Sequence, residues 1–426
     1  MIDAEHPYHV CMDRPVYLRS VGTALPKDVL SNEQILSGMP WLDTSADWIR
    51  EHTGIHTRHV AQPDEHVTDL GQRAACQAFD RANVSAADTD LVILATNTSP
   101  FVYPSSAAVV QGELAKIGYG MPRAAALDLQ QGCASFVAAI ILAKAMVQSG
   151  QCQQALVIGA EVATRMVDWT DRSSLLLGDG ACACVLTCEA PPADRDAPCL
   201  ELLSSFMKTV PDTDSVYQRS GLDVRNHPRQ HMAHAASLEQ RIDRDVLYQR
   251  LLDAESGANQ HFYMDGRKVY RFVRRTVPGA GFFDVLHRAA LITDDELARA
   301  QRLGRGSRDD PSLRSAISER VDRFVPHGAN LSLDQELAEQ LHIPYQRMAL
   351  TLQDHGNTSS ASVGIALDRI MRGGTSYETV AKRDGDGQLT RAPERIVVDP
   401  VQAGHNVVLL SFGAGTSWNY VAARAI

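Results

Sequence analysis

The same succession of elements occurs twice in this 426-residue chain. In the first half a strand-like run, Leu91–Asn97, precedes a Pro-Ser-Ser start and a helical stretch from Ser105. A strand pattern over Ala124–Leu129, a glycine-containing turn and a very apolar helix after Cys133 follow, and the runs Ala155–Glu161 and Cys182–Cys188 complete the unit. In the second half Arg323–Asn330, a helix, Arg347–Leu352, a Gly-Asn turn, the helix Ser360–Met371 and the runs Asn406–Gly415 and Asn419–Ile426 repeat that order. Short β-rich runs alternating with longer helical ones predict an α/β fold with helix-covered sheets. The repeated order predicts a duplicated unit. Two such units stacked on shared helices bring their strand-to-helix turns close together, and turns of that kind are natural sites for chemistry.

The repeat divides the chain into an N-terminal half, residues 1–204, and a C-terminal half, residues 261–426, with 205–260 between them. Three segments stand outside the pattern: 205–260, 290–320 and 373–402. They are rich in Arg, Asp, Gln and Gly with weak periodicity, so they read as insertions on the surface or over a pocket mouth.

Composition narrows the partners. With 41 Lys+Arg against 51 Asp+Glu the net charge is −10, and no basic block offsets it, which argues against nucleic acid as a partner. The first residues are acidic before any apolar run and lack a positively charged start, so they do not read as a secretory signal. The longest apolar stretch, Phe136 to Val147, is interrupted by Lys144 and is too short for a membrane span. A cytoplasmic location is expected. Eight cysteines without a CxxC pair read as reduced thiols rather than a disulfide framework.

Cys133 is the candidate nucleophile. It follows a strand-like run and a Gln-Gln-Gly turn, at the start of a helix that is apolar on every side. Unpaired N–H groups and the positive end of the helix dipole favour thiolate there and can bind a developing oxyanion. So apolar a helix must be buried, which places the thiol deep in a pocket. The plainer reading is a small buried packing residue. Cys182, Cys184 and Cys188 alternate along a probable strand and, without ligand-spaced partners, read as core rather than metal ligands. Cys11, Cys76, Cys152 and Cys199 have no chemical context.

Two polar signatures occupy the second half. His327 lies just past a strand in FVPHGANL, and Asn357 lies in the turn of LQDHGNTSSAS that corresponds to the turn carrying Cys133. A neutral imidazole donating from Nε2–H and a carboxamide make two donors that hold a thioester carbonyl as it becomes an enolate. Taken singly, each also reads as a helix cap or a satisfied loop residue. Cys, His and Asn at matching turns of a duplicated fold favour a site.

As a set, DLQQGCASF, VPHGAN with Asn330, DHGNTSSAS and the terminal SFGAGTSW resemble the thiolase-superfamily condensing enzymes, and most closely β-ketoacyl-acyl-carrier-protein synthase III. TSADWIREHTGIHTRHVA, DWTDRSSLLLGDGA and MDGRKVYRFV add to the similarity. The resemblance implies a five-layered αβαβα fold, a homodimer, and Cys133, His327 and Asn357 as catalytic triad. Cys133 would take an acyl group from acyl-CoA or another thioester. A malonyl-type thioester would then be decarboxylated, its enolate held by His327 and Asn357, and the carbanion would attack the acyl-Cys. The backbone N–H groups of Cys133 and Ala414 would form the oxyanion hole. No metal or redox cofactor is implied, and an acyl carrier protein is a possible partner.

Around this set the chain departs from the family pattern. Trp48 is kept at the entrance, but His52 stands where the family has the Arg that stacks the CoA adenine, while Arg172 is retained. Arg267 replaces the pantetheine-contacting Asn, Asn330 is kept, and Ser332 replaces the Arg that docks the carrier protein. Tyr103 stands where Phe usually closes the acyl pocket of the partner subunit. An intact triad with an altered entrance favours a condensing enzyme of a specialised, secondary-metabolite pathway. The alternatives are an acyltransferase of the same fold that makes an ester or amide from acyl-Cys133, and a non-catalytic partner subunit of a heteromeric condensing enzyme.

Overall fold

The computed structural model describes residues 14–192, 198–212, 215–218, 262–383, 386 and 388–426. Among these, nine strands form one sheet: β1 (Tyr17–Ala24), β2 (Leu91–Ala95), β3 (Ala125–Leu129), β4 (Gln154–Val162), β5 (Asp179–Thr187), β6 (Leu200–Asp212), β7 (Arg323–Pro326), β8 (Asn406–Gly413) and β9 (Gly415–Ala425). The order is β7-β8-β9-β6-β1-β5-β4-β2-β3. The middle is nearly a break, since β1 and β6 pair only through Tyr17 with Glu201 and Leu18 with Leu200. On each side of that junction the pattern is the same. β2 runs parallel to β3 and β4, with β5 and β1 antiparallel beyond; β7 runs parallel to β8, with β9 and β6 antiparallel beyond.

The duplication therefore includes β1 and β6, which the sequence pattern did not assign to the repeat. The expected strand Arg347–Leu352, the counterpart of β3, is reduced to a single bridge between Met348 and Phe324.

Every residue of β4 and β5 is buried, because helices cover both faces of this part of the sheet. On the outer face lie α2 (Val67–Ala82) and α3 (Ser106–Lys116), whose apolar stripes pack on β1, β2, β4 and β5. Between the halves lie α4 (Ser135–Gln148) and α10 (Ser362–Arg372), each touching strands of both units. This central position explains why α4 is so apolar, although Leu142 and Ala145 reach the surface. Burying Phe136, Val137, Ile140 and Val147 completely contributes about 1.5–3 kcal/mol apiece. The outer cover of the second half includes α5 (Gly266–Thr276) and α6 (Ala280–Arg288), the latter packed on β6 and β9. The layers are helix, sheet, helix pair, sheet, helix.

The three expected insertions are only partly insertions. Residues 205–212 complete β6 and pair with β9. The remainder of 205–260 lies outside the described residues apart from 215–218. Residues 290–320 contain two helices, α7 (Asp294–Leu303) and α8 (Pro311–Arg320), with Ala300, Leu313, Ala316 and Ile317 buried. Capping residues start them: Thr293 and Glu296 form a capping box, and Asp310 caps a helix with Pro311 at its first position. Weak periodicity hid these helices. In 373–402, Thr375–Glu378 pairs with Arg395–Val398, and Tyr377, Ile396 and Val398 are buried.

Candidate active site

Cys133 sits between β3 and α4, on a turn that only glycine permits. Gly132 has φ +59°, and a Cβ there would lie 2.7 Å from the Ala414 amide nitrogen. Gly413 approaches from the opposite side, where a Cβ would lie 2.6 Å from the Cys133 nitrogen. The 413–414 backbone of the second half is thereby pressed against the 132–134 backbone of the first. Asn419 on β9 secures the contact by donating to Gln131 Oε1 at 2.9 Å and to the Ala134 carbonyl at 3.0 Å.

Cys133 as a whole residue is half-buried, but its thiol lies in a desolvated setting. Its one hydrogen-bond partner among the described residues is the Ser359 hydroxyl, at 3.4 Å. The helix start was expected to depress the thiol. Instead burial pushes it up to about 11, against the Ser359 hydrogen bond, and the nearby Glu161 carboxylate adds to the rise. The resting nucleophile is a thiol, so a proton acceptor is needed.

His327 follows β7 and is 2% exposed. Its amide donates to the Leu410 carbonyl at 2.7 Å, and its ring stands edge-on to Phe412 with centroids 5.1 Å apart. Burial pushes its pKa down to about 3, so the imidazole is neutral, as expected. Nδ1 lies 2.6 Å from Ser362 Oγ, whose own hydrogen goes to the Ser359 carbonyl at 2.9 Å. With the hydroxyl hydrogen so placed, Ser362 accepts from Nδ1–H and Nε2 carries the lone pair; with the hydroxyl turned to Nδ1, it donates and Nε2 carries the hydrogen.

Asn357 lies in the turn before α10. Its N–H donates to Leu176 O at 2.8 Å, and its carbonyl accepts from Gly178 N–H at 3.0 Å, which stitches the turn to the DWTDRSSLLLGDGA segment. That segment is held in turn by the buried Arg58, which donates to Leu175 O at 2.7 Å. Asn357 Oδ1 accepts from Ser359 N–H at 2.8 Å, and Nδ2 has no partner among the described residues. The structure thus joins all three candidates through one hexapeptide. Ser359 touches Asn357 and Cys133, and Ser362 touches Ser359 and His327.

Sequence reading missed Ser359, Ser362 and Glu161. A carboxylate at the end of an otherwise apolar strand was the available signal for Glu161, which is fully buried. It accepts from Asn97 Nδ2 at 2.6 Å, Thr98 Oγ1 at 2.8 Å and Ser359 Oγ at 3.3 Å. Among the described residues no group of three or more His, Cys, Asp and Glu side chains could hold a metal ion. Cys182 and Cys184 are core residues.

The entrance residues assemble in part. Trp48 and His52 lie one turn apart on α1 (Ala46–Thr53), with rings stacked 4.2 Å apart, and the Arg172 guanidinium covers Trp48 at 5.6 Å. Asn330 Nδ2 and Ser332 Oγ both donate to the His52 carbonyl, each at 3.2 Å. This ties α1 to the start of α9 (Leu331–Gln340). Arg267 is exposed at the start of α5, and its side chain makes no hydrogen bond among the described residues. Tyr103 is 85% exposed in the loop before α3.

Sequence profiles of 3-oxoacyl-[acyl-carrier-protein] synthase III match residues 127–201, and of its C-terminal region residues 315–379. The β-ketoacyl-[acyl-carrier-protein] synthase III of Sphingopyxis alaskensis is 31% identical over 97% of this chain and 100% of its own. The chain belongs to the β-ketoacyl-[acyl-carrier-protein] synthase III family. Solved structures agree. The family's enzyme from Aquifex aeolicus superposes with TM-score 0.65 at 26% identity, covering 96% of this chain and 99% of that one. The priming β-ketosynthase of a polyketide biosynthetic pathway gives TM-score 0.65 at 25% identity, covering 97% and 96%. This member of the synthase III family is a condensing enzyme of the acyltransferase class on a thiolase-type fold. No helix among its described residues is long and apolar enough to cross a membrane.

Proposed function

We propose that Cys133, His327 and Asn357 form the catalytic triad of a decarboxylative condensation in a specialised, secondary-metabolite pathway. The observation that carries this reading is the hexapeptide Asn357–Ser362, which hydrogen-bonds to Cys133 and His327 and orients Asn357. In the first step the Cys133 sulfur attacks a thioester carbonyl, the donor's C–S bond breaks, and the displaced thiol leaves with the proton that Cys133 gives up. The amides of Cys133 and Ala414, brought together by Gly132 and Gly413, hold the tetrahedral oxyanion.

A malonyl-type thioester then loses CO2. Asn357 Nδ2 and His327 hold its carbonyl oxygen as the enolate forms, and the carbanion displaces Cys133 from the acyl carbon. His327 must donate from Nε2 in that step. Ser362 accommodates either neutral tautomer, accepting from Nδ1–H or, with its hydroxyl turned, donating to a bare Nδ1. The thioesters supply every reacting atom, without a metal or redox cofactor.

The drifted entrance favours a specialised pathway. A carrier protein remains a suitable partner despite Ser332, because α5 exposes Arg267, Lys268, Arg271 and Arg275 without ion-pair partners among the described residues. The exposed run Phe101–Tyr103 is an apolar surface suited to a second copy, with Tyr103 closing the partner's acyl pocket in a cytoplasmic homodimer. The unpartnered Asn357 Nδ2 favours condensation over plain acyl transfer, which needs no enolate donor, and the complete triad argues against a silent subunit. The test combines intact mass after acyl-CoA with CO2 release from a malonyl thioester. One acyl group on Cys133 followed by CO2 release is expected. Acylation without CO2 from any primer would leave the acyltransferase reading, and no added mass the silent one.

A further inference from the structure

Ser359 is one of four described non-glycine residues with positive φ, at +51°. Such a conformation costs about 1 kcal/mol or more for a side-chain-bearing residue and persists where the surroundings fix it. What it achieves is the placement of one hydroxyl between two buried groups. Ser359 Oγ lies 3.4 Å from Cys133 Sγ and 3.3 Å from Glu161 Oε1. A hydroxyl has one hydrogen and cannot donate to both. With Glu161 ionised the hydrogen belongs to the carboxylate, and the thiol then donates its own to Ser359 Oγ. The chain is S–H to O–H to carboxylate.

We infer that Ser359 relays the Cys133 proton to Glu161 as the sulfur attacks. The inference rests on Cys133 being the nucleophile. The S–H bond breaks as a new Ser359 O–H bond forms, and the original Ser359 O–H bond breaks as Glu161 becomes a carboxylic acid. When the displaced thiolate departs, the proton returns to it through the same hydroxyl and Glu161 is ionised again. Net charge in the pocket is conserved at each stage, which matters where water is scarce.

The surroundings fit this role. Burial raises both the thiol and the Glu161 carboxyl, so each partner favours its neutral form and passing the proton between them separates no additional charge. Asn97 and Thr98 hold the carboxylate between turns of the proton. His327, the other titratable side chain of the site, makes no hydrogen bond to Cys133 among the described residues, and burial makes it a weak base. Ser359 touches the reacting sulfur and is catalytic; Glu161 acts through it.

The test is alkylation of Cys133 by iodoacetamide, followed by intact mass against pH in the full-length enzyme without any thioester. Ser359→Gly removes the hydroxyl while suiting the positive φ, and Glu161→Gln removes the acceptor while keeping shape. In wild type the alkylation rate should level off once Glu161 is ionised and stay flat through neutral pH. In both variants it should fall about a hundredfold at pH 7. It should then climb tenfold per pH unit toward the thiol's own ionisation. Thermal unfolding separates a folding defect from a lost relay, and Ser359→Gly is the variant that should keep its melting temperature. A flat neutral plateau retained in folded Ser359→Gly overturns the relay. Alkylation insensitive to Cys133→Ala, or acyl mass on another residue, would instead overturn the nucleophile assignment.

Discussion

Gly364 of α10 and Cys182 of β5 approach so closely that a Cβ on the glycine would stand 2.2 Å from the sulfur and 2.9 Å from the Phe136 ring. The contact joins a second-half helix to a first-half strand and to α4, and the turns before both central helices carry site residues. Gly364→Ala should therefore cost about 1–3 kcal/mol by overpacking and lower acylation of Cys133. Gly112→Ala on α3, where a Cβ meets nothing within 4 Å, is the control and should gain about 0.5–1 kcal/mol. Urea unfolding of the two variants gives the comparison, and equal effects would contradict the packing argument.

His327 should show the Nδ1–H tautomer in the free enzyme, since the Ser362 hydroxyl hydrogen goes to the Ser359 carbonyl and Oγ, 2.6 Å from Nδ1, is then left to accept. Imidazole nitrogen chemical shifts report this directly. Ser362→Ala leaves a buried N–H without its partner, so it should move the ring toward Nε2–H and cost about 1–3 kcal/mol. A wild-type ring already protonated at Nε2 would refute the assignment.

The duplicated order, the α/β class and the positions of Cys133, His327 and Asn357 were legible because each depends on local signals: apolar runs, glycine turns and polar residues beside them. β1 and β6 escaped because their partners lie far along the chain. The 290–320 helices escaped because their caps say more than their periodicity. Arg347–Leu352 read as a strand, yet only Met348 bridges to Phe324. The thiol's raised pKa was illegible for a physical reason. A helix start favours thiolate, but the opposing desolvation depends on atoms from β4 and the Ser359 turn, which no local pattern reveals.

His355 is a second buried histidine, pushed down to about 3 chiefly by burial, and its Nδ1 has no partner among the described residues. The folded ring stays neutral below pH 6.5 while the unfolded chain takes up a proton. Stability is therefore complete above about 6.5 and falls as pH drops toward 3, by about 1.4 kcal/mol per unit for each such ring. Buried Glu161, Asp179 and Asp334 are raised and act in the opposite sense above about pH 4. The difference between wild type and His355→Gln isolates the histidine. Unfolding free energies at pH 7 and 5 should converge for the pair as pH falls, and a constant gap would contradict the burial argument.

The basic face of α5 should govern carrier-bound substrates. Arg274 is committed to Glu336 and lies over Tyr270, but Lys268, Arg271 and Arg275 are exposed and unpaired among the described residues. Charge reversal by Lys268→Glu with Arg271→Glu should raise KM for a carrier-protein thioester about tenfold at low salt and much less at high salt. KM for the same acyl group on CoA should change little. Equal changes for both donors would remove this helix as a carrier-protein surface.

Asn357→Asp separates the two half-reactions. The new carboxylate still accepts from Ser359 N–H in the place of Oδ1, so the turn keeps its hydrogen bond. It has no N–H to offer where Nδ2 stood, and its charge opposes an enolate oxygen. Loss of one donor to a developing oxyanion costs about 10²–10³ in rate, so CO2 release should fall at least that far. Acyl transfer to Cys133 relies on a different pair of donors, the Cys133 and Ala414 amides, and should survive within about tenfold. Rapid-quench intact mass for the acyl step and radiolabelled CO2 for the second give both rates in one preparation. A parallel fall in the two would mean that Asn357 shapes the whole pocket instead of serving the enolate.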